Sequence, residues 1–395
     1  MTVFFWIAFS VIFYTFIGYG IVLYVMVLIK RIIFGRKKQA YPSESNWPTV
    51  SFVVAVFNEE YILEEKVANS IALDYPKNLI EFVFVTDGSS DNSPEIIQKH
   101  KEIKLLHQPQ RKGKLAAMER AIKHTKGEIL VFSDANTILN TSSIKEICKH
   151  YQQQNVGAVA GEKKVAVGTQ DDAAGSESLY WKYESKLKEW DSELNTVVGA
   201  AGELFSVRKD LYVPVPEDTL VDDFMISMKI AAKGYKIVYE PDAYATEFSS
   251  ENVKEEYKRK VRIAAGGMQS IIRLGKLLLP FPYPGLWFQY VSHRVLRWSI
   301  TPFLMIALLL ANISIVYVGN ESLIYPTILI LQLLFYGFAL IGWYFEHKSI
   351  KIKIAFIPYY FCMMNQAVIA GIFRYFRGKQ SVSWEKAKRK IVLKT

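Results

Sequence analysis

Apolar runs in this chain come in two lengths. At both ends they are long enough to cross a bilayer; between them they are short and alternate with amphipathic stretches. Val3 to Ile29 is apolar and uncharged, and a helix of that length spans the ~30 Å hydrocarbon layer. It is too long for a cleaved signal peptide, no basic residue precedes it, and no small-residue cleavage site follows. It is therefore expected to stay as an anchor. Tyr41 to Trp47, with Pro42 and Pro48, reads as a linker. Then come a strand at Val50–Phe57, a helix at Glu59–Ile71, a strand at Glu81–Thr86, a helix opened by Ser93-Pro94 and a short strand at Lys104–His107. A helix at Leu115–His124, a strand at Glu128–Ser133, a helix around Ser142–Tyr151 and a strand at Val156–Ala160 complete the run. Such alternation predicts an α/β fold, a mostly parallel sheet with helices on both faces.

After Gly161 the pattern loosens. Polar helix is expected over Ser176–Glu189, strand over Glu203–Val207, helix from Asp222-Asp223 to Lys233 closed by Gly234, and strand over Tyr235–Glu240. Ile271–Trp298 mixes apolar residues with Arg273, Lys276, His293, Arg294 and Arg297, which suits a helix lying in the headgroup layer. Ile300–Val318 and Leu323–Phe345 read as two spans joined by an outer loop, Gly319–Ser322. Ile354–Phe373 is long enough to cross, but Pro358, Asn365 and Gln366 interrupt it. A crossing would also put the basic Arg374–Lys394 tail outside, against the positive-inside tendency, so a re-entrant or interfacial element is expected. The resulting division is residues 1–40 anchor and basic flank, 41–265 soluble α/β domain, 266–299 interfacial helices, 300–345 two spans, and 346–395 basic loop, third membrane element and basic tail.

The net charge of +10 changes this picture little, because the excess cations flank apolar segments. Lys30, Arg31, Arg36, Lys37 and Lys38 follow the anchor and place the α/β domain in the cytoplasm, in a bacterial-type inner or plasma membrane. Anionic lipid headgroups account for the basic segments better than nucleic acid does. Cys148 and Cys362 are too few for a disulfide framework or a zinc site. No Gly-x-Gly-x-x-Gly or Gly-x-x-x-x-Gly-Lys-Ser/Thr loop occurs, which argues against hydride transfer and nucleotide hydrolysis.

Four acidic stations remain: Asp87 in Asp87-Gly88-Ser89-Ser90-Asp91, Asp134 in Ser133-Asp134-Ala135-Asn136, and the pair Asp222-Asp223. The first two end predicted strands, where ligands of α/β sheets sit. Displacement of a nucleoside diphosphate from a sugar needs a nucleoside acceptor, a divalent cation on the phosphates and a base for the attacking hydroxyl. Asp134 with the carboxamide oxygen of Asn136 suits Mg²⁺ or Mn²⁺, and equally suits a helix N-cap. Asp87 suits a ligand contact or an Asx turn. Arg111-Lys112-Gly113-Lys114 leads into a helix, where cations and backbone N–H groups meet phosphate, or forms a solvated loop. Asp222-Asp223 suits a base with a tuning neighbour, or a helix start favoured by the macrodipole. Trp181, Tyr183 and Trp190 are candidate sugar-stacking aromatics or packed core.

In combination these motifs resemble the membrane-bound family 2 glycosyltransferases, the group of cellulose, chitin, hyaluronan and poly-N-acetylglucosamine synthases. The resemblance rests on Val56-Phe57-Asn58-Glu59-Glu60, the Asp87 and Asp134 motifs, Arg111–Lys114, Gly199–Arg208 and Asp222-Asp223. It implies a GT-A fold, a UDP-sugar donor, Mg²⁺ or Mn²⁺, and inversion. It also implies donor contacts from Asn58, Glu59, Asp87, Lys114 and Asp134, with Asp223 as base and Asp222 where the family usually has Glu. Two departures stand out. Asn136 replaces a second Asp, and the Gln-x-x-Arg-Trp signature appears as Arg259-Lys260-Val261-Arg262-Ile263. Arg262 would meet the diphosphate and Arg259 an anionic acceptor, but Ile263 offers no stacking platform. The expectation is one or few additions of a hexose or N-acetylhexosamine to a membrane-associated lipid or glycan. A processive synthase that translocates its product, or an inactive nucleotide- or glycan-binding subunit, are the alternatives. A homodimer is a further expectation.

Overall fold

The computed structural model describes residues 1–35, 43, 46–166, 173–248, 252–319, 321–348 and 352–378, with backbone alone for 166, 173–180, 248 and 353. Arg36–Lys38, most of the Tyr41–Trp47 linker, Lys351 and the tail beyond 378 lie outside the described residues. One sheet runs in the order β3-β2-β1-β4-β7-β6-β8-β5. Its strands are β1 (Val50–Val56), β2 (Ile80–Asp87), β3 (Ile103–Gln108), β4 (Ile129–Asp134), β5 (Thr137–Leu139), β6 (Val156–Ala166), β7 (Leu204–Arg208) and β8 (Lys236–Phe248).

The first four strands pair in parallel, as do β6 and β8; β7 is antiparallel to both neighbours, and β5 to β8. The α/β alternation thus holds through β4. The chain then folds back to insert β7 beside β4, extends β6 and β8 beyond the expected strands, and adds β5, a three-residue edge that carries too little apolar pattern to be read from sequence.

Register positions the chemistry. Val56 pairs with Thr86 on β2, and Ala55 with Asp134 on β4. The carboxyl ends of β2 and β4 therefore share one edge on either side of β1, where the strand order reverses and a crevice opens. Two apolar layers hold the sheet. Val53, Val83, Leu130, Phe132 and Phe205 pack on one face and Phe52, Val54, Phe84 and Val131 on the other. Strands covered on both faces need no polar alternation, which is why these segments read as continuous apolar runs.

The amino-terminal helix comprises α1 (Thr2–Phe13), a π-turn and α2 (Tyr19–Phe34). The helices around the sheet are α3 (Glu60–Ile71), α4 (Ser93–Gln98), α5 (Lys114–Ile122), α6 (Ser143–Cys148), α7 (Ala173–Leu194), α8 (Asp222–Ala231) and α9 (Val253–Arg273). Then come α10 (Pro284–Tyr290), α11 (Leu296–Trp298), α12 (Thr301–Tyr317), α13 (Ile324–His347) and α14 (Lys353–Phe376). The headgroup-layer helix expected over Ile271–Trp298 is broken: α9 ends at Arg273, and α10 begins only after Pro280–Tyr283. Thr2–Phe34, Ile324–His347 and Ile354–Phe376 are long and apolar enough to cross a membrane, and Pro284–Trp298 with Thr301–Tyr317 forms a pair bent by 60°. This is a membrane protein.

The amino-terminal helix is docked on the α/β domain. Lys30 Nζ donates to the carbonyls of Glu193 (2.6 Å) and Leu194 (2.8 Å), so a cation closes the carboxyl end of α7, where the helix dipole is negative. Arg31 grips the Glu193 carboxylate with two nitrogens, at 2.7 and 2.6 Å. Two of the candidate aromatics serve this joint instead of a sugar. Tyr183 donates to the Phe16 carbonyl at 3.0 Å, and Trp190 lies 4.9 Å from the Tyr24 ring.

Near both of its ends α14 packs along α9. Phe356, Tyr360 and Met363 meet Val253 and Tyr257, and Gly371 is so close that a Cβ there would sit 2.6 Å from Ala264 Cβ and 2.7 Å from the Val261 carbonyl oxygen.

Candidate active site

The run Lys112–Lys114 ties two acidic stations together. Backbone N–H groups of Lys112 (3.0 Å) and Gly113 (2.6 Å) donate to the buried Asp87 carboxylate, and one residue on Lys114 Nζ reaches Asp134 Oδ1 at 2.6 Å. Gly88, at φ +70°, lets this run come close: a Cβ there would lie 2.7 Å from the Arg111 nitrogen. Asp87 therefore holds the loop, and its Oδ1 keeps lone-pair capacity for a ligand.

Asp222 and Asp223 open α8 facing the same cation. A Cβ on Gly202 would lie 3.3 Å from both Asp223 Oδ2 and Lys114 Nζ. Burial alone would lower the Lys114 ammonium, but Asp134, then Asp222 and Asp223, hold it above its ordinary value. Burial, and next the charge of Asp222, push Asp223 up to about 7, with Lys114 opposing. Asp134 is raised by burial, again against Lys114. The buried Asp222 Oδ2 accepts no hydrogen bond among the described residues. Arg262 on α9 reaches the Leu220 carbonyl at 3.5 Å; burial lowers its guanidinium while Asp222, Asp223 and Asp134 oppose.

Asp87, Lys114, Asp134, Asp222, Asp223 and Arg262 thus border one cleft. Asn58 and Glu59 clasp the turn that follows Asp87. Asn58, at φ 53°, accepts from the Ser90 N–H at 2.8 Å, and the Glu59 N–H donates to Ser93 Oγ at 3.1 Å. Arg259 is turned elsewhere, onto Glu256 at 3.1 and 3.3 Å.

The oxygen donors present fit a hard divalent cation. Asp134 keeps Oδ2 clear of the Lys114 pair, and the carboxamide of Asn136, 6% exposed, makes no hydrogen bond among the described residues. A different acidic group, Glu146, Glu240 and Asp242, has metal-like spacing, but Lys149 bridges Glu146 (2.5 Å) and Glu240 (2.8 Å), so that charge is already balanced.

Several residues around the site were given no individual role by the sequence reading. Glu203, at the amino side of β7, joins Lys163 on β6 and through it Glu247 on β8. Although burial works against its charge, Lys163 and then Arg259 hold Glu203 far below the carboxylate range. Gly199, at φ +84°, faces Phe224: a Cβ would lie 2.1 Å from Cδ2 of that ring. Gly199→Ala must therefore displace Phe224 and, with it, neighbouring Asp223. A misplacement near 1 Å costs about 10²-fold in rate. Turnover by nucleotide release should fall by that order; unchanged turnover would mean the ring moves without the carboxylate.

A mixed, mostly parallel sheet with acidic turns at the switch point is the GT-A fold. Accordingly, a mannosyltransferase, PcManGT from Pyrobaculum calidifontis in complex with GDP-Man and Mn²⁺, shares the fold at a TM-score of 0.72 and 21% identity, over 95% of this chain and 100% of that one. Residues 51–213 match the model of glycosyl transferase family 2, and the chain carries a family 2 glycosyltransferase domain related to polysaccharide synthases. It is 26% identical over 231 residues to the poly-beta-1,6-N-acetyl-D-glucosamine synthase of Staphylococcus aureus, covering 57% of this chain and 56% of that protein. For the Staphylococcus epidermidis synthase the figures are 24% over 252 residues, 62% and 61%. The chain thus matches less than two thirds of the length of these relatives.

Proposed function

We propose that the chain is an inverting glycosyltransferase working at the cytoplasmic face of the membrane. It moves a hexose or N-acetylhexosamine from a UDP-sugar to a membrane-associated lipid or glycan. The observation that carries this reading is the Lys112–Lys114 run, which joins Asp87 to Asp134 opposite Asp222-Asp223. The nucleoside lies toward Asn58, Glu59 and Asp87, and the diphosphate toward Lys114, Asp134 and Arg262. Asp223 takes the proton of the acceptor hydroxyl as its oxygen bonds the anomeric carbon and the bond to the diphosphate oxygen breaks. Asp222 keeps that carboxylate basic. Asp134 and Asn136 would hold Mg²⁺ or Mn²⁺, which supplies charge neutralisation of the departing diphosphate. Lys30 and Arg31, docked on α7, support a catalytic domain on the same side as the basic flank of the anchor. Residues 41–265 form the catalytic domain in this reading. The run of α14 along α9 supports an interfacial third membrane element, because α9 carries Glu256, Arg259, Lys260 and Arg262 and is too charged to cross.

A panel of UDP- and GDP-sugars, scored by nucleotide release with and without membrane extract, tests this. Extract-stimulated release from a UDP-sugar is expected; release from no donor would end the reading. The names of the relatives support a second reading, a processive synthase. Long polymer from purified protein would favour it; short products are expected.

A further inference from the structure

Lys66 is fully buried, on a stretch of α3 whose neighbours Glu64 and Glu65 are exposed. Its Nζ donates to Ser133 Oγ at 2.7 Å and to the Thr137 carbonyl at 2.8 Å. Those two residues bracket the turn that carries Asp134 and Asn136. The turn is cross-tied further: Thr137 Oγ1 donates to the Asp134 carbonyl at 2.9 Å, and Ser133 Oγ lies 3.1 Å from Thr137 Oγ1 and 3.2 Å from the Glu203 carbonyl oxygen. Two turns earlier, the start of α3 holds the other station. Glu60 accepts from the Asn92 backbone at 3.0 Å, and its own N–H donates to Asp91 Oδ2 at 3.0 Å. One rigid helix thus spans both halves of the cleft.

Burying an ammonium is costly, and an apolar side chain would fill this space at lower cost. Among the described residues the Lys66 Nζ donates to atoms of the Asp134 turn alone, and it lies 5.6 Å from the Phe52 ring. We infer that Lys66 is a positioning residue: through Ser133 and Thr137 it fixes Asp134 and Asn136 in the orientation that receives the cation–diphosphate of the donor. The inference rests on the reading of Asp134 given above. It also explains how the pair Asp134–Asn136 stays ordered with only one carboxylate.

The test is Mn²⁺ binding, followed by electron paramagnetic resonance on purified full-length protein with saturating UDP or GDP, alongside the thermal midpoint. Lys66→Met keeps the length of the stem and removes the ammonium. It is expected to weaken Mn²⁺ at least tenfold while the protein remains folded. Ser133→Ala removes one of the two partners and should weaken binding in the same direction by a smaller factor. If Lys66→Met does not fold, Ser133→Ala decides alone. Asp134→Asn is the control. Loss of Mn²⁺ there with wild-type binding in Lys66→Met or, failing that, in Ser133→Ala overturns the positioning role only. Wild-type binding in Asp134→Asn overturns the site reading itself.

Discussion

Asp223→Asn is expected to lower sugar transfer by about 10²–10⁴-fold, the usual worth of one placed general base. Nucleotide affinity should hardly change, because the bonds from the Lys112 and Gly113 N–H groups to Asp87 and from Lys114 to Asp134 do not involve that carboxylate. The wild-type pH profile should carry the same signature. A base acts only when unprotonated, and Asp223 is pushed up to about 7 by burial and by Asp222. Thus kcat/KM for the acceptor should rise with pH and level off above about 7. Asp222→Asn removes the second cause of that shift and should move the acid limb to lower pH. Full activity in Asp223→Asn would end the assignment, and an acid limb unmoved in Asp222→Asn would end the coupling.

Sequence showed these carboxylates because each ends an apolar strand or opens a helix, and the strand-end geometry follows from local pattern alone. Val50–Phe57 was expected and Val50–Val56 is found; Glu128–Ser133 was expected and Ile129–Asp134 is found. What stayed hidden depends on partners far along the chain. Lys66 stands in Glu64-Glu65-Lys66 and reads as solvated surface, yet its burial follows from β4 and β5 folding over α3. Glu203 looked like the first residue of a strand, but its role needs Lys163 and Arg259 from two other elements. The reversal that sets β7 antiparallel beside β4 leaves no trace in residue periodicity either. Arg259 was expected to face an acceptor, and a glutamate three residues earlier on the same helix face holds it.

The joint between the membrane helices and the α/β domain should be the part of the molecule most sensitive to a single change. Glu184 on α7 is buried and meets an imidazole and two guanidinium groups: His293 Nε2 at 3.0 Å, Arg294 at 2.9 Å and Arg297 at 2.8 Å. The other ring nitrogen of His293 meets Asp191 at 2.6 Å, and Asp191 accepts from Tyr19 of the amino-terminal helix and from Gln289. Removing one member of a buried ionic group leaves the others uncompensated, at about 3–5 kcal/mol. Glu184→Gln is therefore expected to cost that much on unfolding of detergent-solubilised protein. Arg31 and Glu193, a bidentate pair whose side chains are 28% and 27% exposed, provide the contrast: Glu193→Gln should cost under about 1 kcal/mol.

The pH dependence has a definite sign. Burial opposes the Glu184 charge, but Arg294, Arg297 and His293 hold its carboxyl well below the ordinary value. Its contribution is then full above the unfolded pKa and is lost as pH falls through the folded one. Acid should thus destabilise the wild type more steeply than Glu184→Gln. Turnover should fall as well, since Arg294 also donates to the Val198 carbonyl at 3.4 Å, next to the glycine that seats Phe224. Equal unfolding free energies in Glu184→Gln and Glu193→Gln would mean that burial at this joint adds nothing, and that the α/β domain is held to the membrane helices elsewhere.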